Sequence, residues 1–332
     1  MPGLLGPVPA LERAPRTPTL DLLLERARVE PAGADLPTLL LDCFGAEASA
    51  PYALAADDPG WDGQGWWLHA DPVHLRADRD LLRLFDARHL GISRAEADAL
   101  VAALNAHFAA DGLRVHAPVA DRWYLRCEPP LALATTPLAA VVGRHIDGSL
   151  PTGADAGRFA ALMSEAQMLL FQHDVSRRRE AAGRPAVNGL WCWGGGAWAR
   201  PATPPDLAVG TGSLLQGLAL AAGVAMVAET PLATLLAAPA SRVLVVQDAL
   251  ADALHDQDAD AWAAAAERLD AWLAAVPAAL RSGALAELRL YAGDGFCRVV
   301  QRAGLRRVLS RRPWRRRQTL AVRATLPPEA SA

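Results

Sequence analysis

An α/β fold is predicted by three features of the sequence. Short apolar runs that read as buried strands, residues 36–44, 241–246 and 285–291, alternate with stretches whose apolar residues recur at spacings of 3 and 4, residues 19–28, 93–109 and 159–179. The 332 residues suffice for one large or two ordinary domains. With 52% hydrophobic and 21% charged residues, the composition is that of a globular chain.

Charge and cysteine content narrow the partners. All 33 basic residues are arginine, and the net charge is −3, so no global field favours nucleic acid or an anionic membrane. Four scattered cysteines, Cys43, Cys127, Cys192 and Cys297, form neither a zinc motif nor a disulfide framework, which fits a cytoplasmic protein. The N-terminus lacks a basic region before its apolar residues and is broken by Pro, against a secretory signal. The uncharged run 207–228 contains Thr211, Ser213, Gln216 and four glycines, which favours a small-residue helix buried against a sheet over a membrane span.

In chain order, Leu20, Leu23 and Leu24 mark the first helix, ended by Pro31 and Gly33. The run LPTLLLDCF reads as a strand with Asp42 at its end, where an α/β protein places ligand-binding carboxylates. Residues 45–65, rich in Asp, Gly and Pro, read as an exposed loop, in which Ser49 is featureless. Strands and hairpins follow from Trp66. Ser93 and Glu96 form a capping box that starts the next helix, with Leu100, Leu104 and Phe108 on its apolar face. Residues 139–148 read as a linker whose Arg144, His145 and Asp147 do no more than turn.

One helix is expected over 159–179, its end made cationic by Arg177, Arg178 and Arg179, with His173 set to interact favourably with the helix dipole. Then an apolar strand carrying Trp191 and Trp193 runs into Gly194, Gly195 and Gly196, expected as a turn that makes bends or cradles an anion. The C-terminal stretch holds nine arginines between Arg298 and Arg317, with Trp314 among them. It reads as a solvated basic edge, with a salt-dependent nucleic-acid contact as the weaker alternative.

The segment FQHDVSRRREAAGRPAVNGLWCWGGG resembles the archaeal-type cofactor-independent phosphoglycerate mutases, through His173, Arg179, Pro185, Ala186, Asn188, Trp191, Gly194 and Gly196 in order. Asp174 and Ser176 depart from the family, which has Pro and Asn there. The chain also resembles the narrower bacterial group of RpfE-type regulatory proteins. The resemblance spans about residues 66–300 and implies an alkaline-phosphatase-like α/β core. Residues 1–65 would be its lead and first part, 66–140 a smaller inserted α+β domain on the substrate side, 141–325 the main domain and 326–332 a disordered tail.

The resemblance also implies phosphate or ligand contacts at Arg122, His173, Arg179, Asn188, Gly194 and Gly196. His69 and Asp71 stand where the family places an Arg and an Asn against substrate, a loss of cation that weakens phosphate binding. Metal ligands would come from Asp42, Asp248, Asp252, His255 and Asp294, but Ala251 replaces the first Asp of the family's metal motif and Gly295 the His of its terminal pair. No equivalent of the metal-activated serine nucleophile is visible.

The expected protein is thus a mutase-like scaffold that has lost catalysis and keeps a regulatory or phosphorylated-ligand-binding role. The alternative is a metal-dependent mutase or phosphatase with non-standard ligands. No cofactor is expected, or Mn or Mg if the alternative holds. Partners would be a phosphorylated small molecule or a regulatory protein, with neither nucleic acid nor membrane.

Overall fold

The computed structural model describes residues 1–5, 8, 10–78, 81–302 and 319–324. The chain forms a mixed α/β structure, as its patterning predicts, and divides into two compact units.

The first unit comprises residues 1–43, 205–211 and 224–332. Its elements are α1 (Pro18–Arg26), β1 (Arg28–Pro31), α2 (Leu36–Phe44), β7 (Leu207–Val209), β8 (Ala225–Val227), α9 (Leu232–Ala237) and β9 (Val243–Val245). They continue with α10 (Ala249–His255), α11 (Ala259–Leu273), α12 (Val276–Ser282), β10 (Glu287–Tyr291), β11 (Phe296–Gln301) and α13 (Leu320–Ala324). Two three-stranded sheets result, β1-β11-β10, antiparallel, and β8-β7-β9, parallel. The apolar stripe of α1 packs with Trp262, Leu269 and Leu273 of α11, and Asp270 accepts from the Leu20 backbone N–H at 2.7 Å.

The second unit, residues 44–204 and 212–223, contains α3 (Ala50–Asp57), β2 (Trp66–Asp78), β3 (Leu81–Phe85), α4 (Arg94–His107), β4 (Leu113–Val119) and β5 (Arg122–Cys127). It is completed by α5 (Leu138–Val141), α6 (Ala156–Gln172), α7 (Asp174–Ala181), β6 (Gly189–Ala197) and α8 (Ser213–Ala222). One sheet runs β3-β2-β5-β4, with β6 also on β2. The Ser93–Glu96 capping box starts α4 as expected. Helices α3 and α8 approach so closely that a Cβ on Gly217 would lie 1.7 Å from the Tyr52 carbonyl oxygen.

Four elements differ from expectation. Residues 36–44 are helical, because Asp35 accepts from the Thr38 N–H at 2.8 Å and Pro37 sits in the first turn, where its missing N–H has no partner to lose. Asp42 therefore lies exposed on a helix, not at a strand end. The expected loop 45–65 contains α3, whose residues from Ala50 to Leu54 are buried. The single helix over 159–179 is broken at His173, which adopts an extended conformation and caps α7 by accepting from the Val175 N–H at 3.2 Å.

The glycine triplet, finally, lies within strand β6. Trp67 pairs with Gly196 and His69 with Trp193, so Leu68 alone faces Gly194 and Gly195 across a bulge, for which Gly194 supplies φ +65°. The run 207–228 is strand, helix, strand, and among the described residues no helix is long and apolar enough to cross a membrane. Of the arginine-rich stretch, residues 303–318 lie outside the described residues, as does the tail 326–332.

Candidate functional site: a buried polar cluster in the second unit

Strand alternation sets up the cluster. Leu68 and Ala70 of β2 face the main apolar core, so His69 and Asp71 face the opposite side, where Trp193 of β6 and Tyr124 of β5 cover them. His69 stacks on the Trp193 ring at 4.1 Å and 15°, and Trp193 Nε1 donates to Asp71 Oδ2 at 2.6 Å.

Both titratable groups are buried, and burial is the largest influence on each. It pushes the Asp71 carboxyl up to about 7, against the Trp193 hydrogen bond that favours its charged form. It pushes His69 down to about 3, with Arg122 adding repulsion. At neutral pH His69 is uncharged and offers no cation to a phosphate.

Ser49, just before α3, lies against the bulge. Its backbone N–H donates to the Gly194 carbonyl at 3.1 Å, and the Gly194 N–H donates to Thr135 Oγ1 at 3.0 Å. A Cβ on Gly194 would lie 1.9 Å from Ser49 Oγ and 3.3 Å from His69 Cδ2, so only glycine fits between them. Among the described residues, Ser49 Oγ and His69 Nε2 are both buried and find no hydrogen-bond partner. Such atoms are costly to leave unmade and mark the polar heart of this cluster.

Arg122 approaches from the start of β5, but its Nε and Nη2 each donate at 2.8 Å to the two oxygens of Asp57, the last residue of α3. Tyr124 OH donates to the same carboxylate at 2.7 Å. The Asp57 hydrogen bond is the main cause that raises the Arg122 pKa, while burial and Asp57 raise that of Tyr124.

The other expected ligand contacts are also engaged within the chain. Asn188 spans the Leu75 backbone, accepting from its N–H at 2.7 Å and donating to its carbonyl at 2.9 Å. Arg179 is buried, donating to Pro185 O at 2.8 Å, to Glu96 at 3.0 Å and to Leu90 O. His173 is the cap of α7. A Cβ on Gly196 would meet the Ala48 methyl at 2.3 Å.

The five expected metal ligands all fall in the first unit but do not gather. Asp294, in the turn between β10 and β11, is closed off by a buried ion pair with Arg298 at 2.5 and 2.8 Å. Asp248 precedes α10, which carries Asp252 and His255, while Asp42 is on α2. Among the described residues no three of the five bring ligand atoms within 4.8 Å of one another. They do not fit a two-metal centre, which needs several converging anionic ligands.

Sequence reading missed Ser49, Asp57, Tyr124 and Thr135. The only local signal was Ser49 before Ala50 and Pro51, a helix-start pattern; the other contacts join residues far apart in sequence.

No family model matches the chain. It is 26% identical over 236 residues to a probable 2,3-bisphosphoglycerate-independent phosphoglycerate mutase of Geobacter sulfurreducens, covering 65% of this chain and 58% of that one. To the corresponding mutase of Methanosarcina barkeri it is 24% identical over 232 residues, 65% of this chain and 57% of the relative. A mutase of Methanothrix thermoacetophila is 33% identical over 96 residues, 26% of this chain and 24% of the relative. The chain thus spans just over half the length of the first two of these curated relatives.

Among solved structures, a Pyrococcus horikoshii protein aligns with TM-score 0.45 and 19% identity over 83% of this chain and 76% of that one. The cofactor-independent phosphoglycerate mutase of Thermoplasma acidophilum aligns with TM-score 0.38 and 16% identity, over 86% and 82%. These relatives correct one expectation. The expectation of no cofactor, with Mn or Mg reserved for the enzyme alternative, does not hold, since the mutases to which the chain is similar are of the class that works with metal ions such as manganese. The proteins to which this chain is similar are phosphoglycerate mutases independent of 2,3-bisphosphoglycerate.

Proposed function

We propose that this chain is a mutase-like protein of the alkaline-phosphatase-like type that does not interconvert phosphoglycerates and acts instead in a regulatory role, in keeping with its RpfE-type resemblance. One observation carries the reading. Arg122, the arginine that the resemblance offers to a substrate phosphate, is held by both oxygens of Asp57. Its Nε–Nη2 edge is thus taken by a bidentate carboxylate, the geometry in which a guanidinium binds most strongly, and its charge is already paired when a phosphate arrives.

Its neighbours support the same reading, since His69 is uncharged and Asp71 contributes a carboxyl where the family has an amide. Of the two roles expected from the sequence, the geometry favours regulation over binding a phosphorylated ligand. Calorimetric titration with 3-phosphoglycerate tests it: no saturable heat is expected up to millimolar ligand. Saturable binding that Arg122→Ala abolishes would overturn the reading.

A further inference from the structure

Helix α6 carries apolar residues on two opposite faces. Phe159, Leu162, Ala166 and Leu170 are buried in the main core of the second unit. At about 100° of turn per residue, Gly157, Ala161, Ser164, Met168 and Phe171 fall on the opposite side, and all five are exposed. Met168 and Phe171, 58% and 60% exposed, are two of the three most exposed large apolar side chains among the described residues. A helix that covers a core ordinarily turns polar residues to water. Here the outer face instead repeats at alternating spacings of four and three residues, the pattern of a seam between two helices.

We propose that this face is where two copies of the chain associate, α6 against α6, antiparallel about a two-fold axis at the level of Ala166. The seam is its own complement. Its N-terminal half is small, Gly157 and Ala161, and its C-terminal half is large, Met168 and Phe171, with Ser164 between them. The antiparallel order sets Phe171 on the partner's Ala161 and Met168 on the partner's Ser164, and two-fold symmetry makes each contact twice. A parallel copy would set large on large and leave the small half hollow.

The charges at the two ends agree with that register. Asp155 and Arg158 stand at the start of α6, and Asp174 and Arg177, 82% and 65% exposed, follow its end. Pairing Phe171 with the partner's Ala161 brings Arg158 level with the partner's Asp174, and Asp155 level with the partner's Arg177, so acid meets base at both ends. Arg158 enters no ion pair among the described residues and is free to take part. Glu165, on the flank of the seam, is engaged by His107 of α4 at 3.0 Å. Antiparallel order also opposes the two helix dipoles. The 17 residues of α6 make a rod about 25 Å long and about 10 Å wide, so the shared contact is smaller than the roughly 1,200 Å² of a standard interface. The dimer is therefore a reversible one, set by protein concentration.

The inference concerns one outer helix and depends neither on the polar cluster nor on the loss of catalysis. Its test is sedimentation of the full 332-residue chain from micromolar to millimolar concentration, where a monomer–dimer equilibrium is expected. Ala161→Phe sets Phe against Phe across the seam, and Phe171→Ala sets Ala against Ala. Each should weaken self-association by about tenfold or more. Both positions are exposed, so neither substitution disturbs the core. Mixed together, the two variants should associate about as tightly as the wild type, because a copy with two large residues then faces a copy with two small ones. The double variant Ala161→Phe/Phe171→Ala should recover self-association for the same reason. A wild-type chain that stays monomeric throughout, single variants that associate as the wild type does, or a mixture no tighter than either variant alone would overturn the proposal.

Discussion

At the scale of single residues, the cluster is a buried polar knot on the face of the second unit's sheet opposite its main apolar core, and three substitutions expose its energetics. Asp71 titrates at about 7 in the fold against 3.8 when exposed. Below pH 3.8 both states are protonated and burial costs nothing. As pH rises toward 7 the unfolded chain ionises first, so the contribution of this group to stability is lost. Denaturant titrations should show Asp71→Asn gaining on the wild type from pH 4 to 7, by up to about 1.4 kcal/mol for each pH unit of delay. Parallel curves would mean that Asp71 is not buried as described. Gly194→Ala places a methyl against Ser49 Oγ at φ +65°. Overpacking of this kind costs about 1–3 kcal/mol, and a left-handed non-glycine residue about 1–2 kcal/mol more. Ser49→Ala removes the hydroxyl, so a double-mutant cycle should recover the packing part, leaving a coupling of at least about 1 kcal/mol. His69 and Asp71 were legible as replacements at substrate-side positions. Ser49 was not, because its partner lies at Gly194 and nothing local announces that approach.

Among the elements, what was readable was what is local. The Ser93–Glu96 box specifies the start of α4 through contacts three residues apart, and the structure forms it. The run 36–44 misled, since a nine-residue apolar stretch has no period that separates a buried strand from a helix; the deciding contact is the Asp35 cap. The same limit hid the break at His173, since the spacing of the apolar residues of α6 does not show where that helix ends and the largely charged α7 begins. Arg179 shows how a residue that resembles a ligand contact becomes a scaffold member. It ties α7 to Glu96 on α4 and to the Leu90 and Pro185 carbonyls, with its side chain 1% exposed. Replacing one partner of a buried ion pair costs about 3–5 kcal/mol, so Arg179→Leu should lower the urea midpoint accordingly. A loss under about 1 kcal/mol would show that the guanidinium is not structural.

For the whole molecule, the α/β class followed from alternating patterns, but the sheet pairings did not. Strand β6 lies beside β2, more than a hundred residues earlier. Pairings of that range leave no periodic trace in either segment, which is also why the convergence of Arg122 on Asp57 could not be read. The central claim, that scaffold and mutase chemistry have parted in this chain, predicts a clear enzymatic result. Purified protein is assayed for interconversion of 3- and 2-phosphoglycerate by coupled spectrophotometry, with manganese added and in a chelated control. The account predicts a rate no higher with manganese than in the control. Turnover that appears with manganese and disappears with chelator would contradict it, and would show that this chain assembles a catalytic centre from residues other than the five ligands the resemblance supplied.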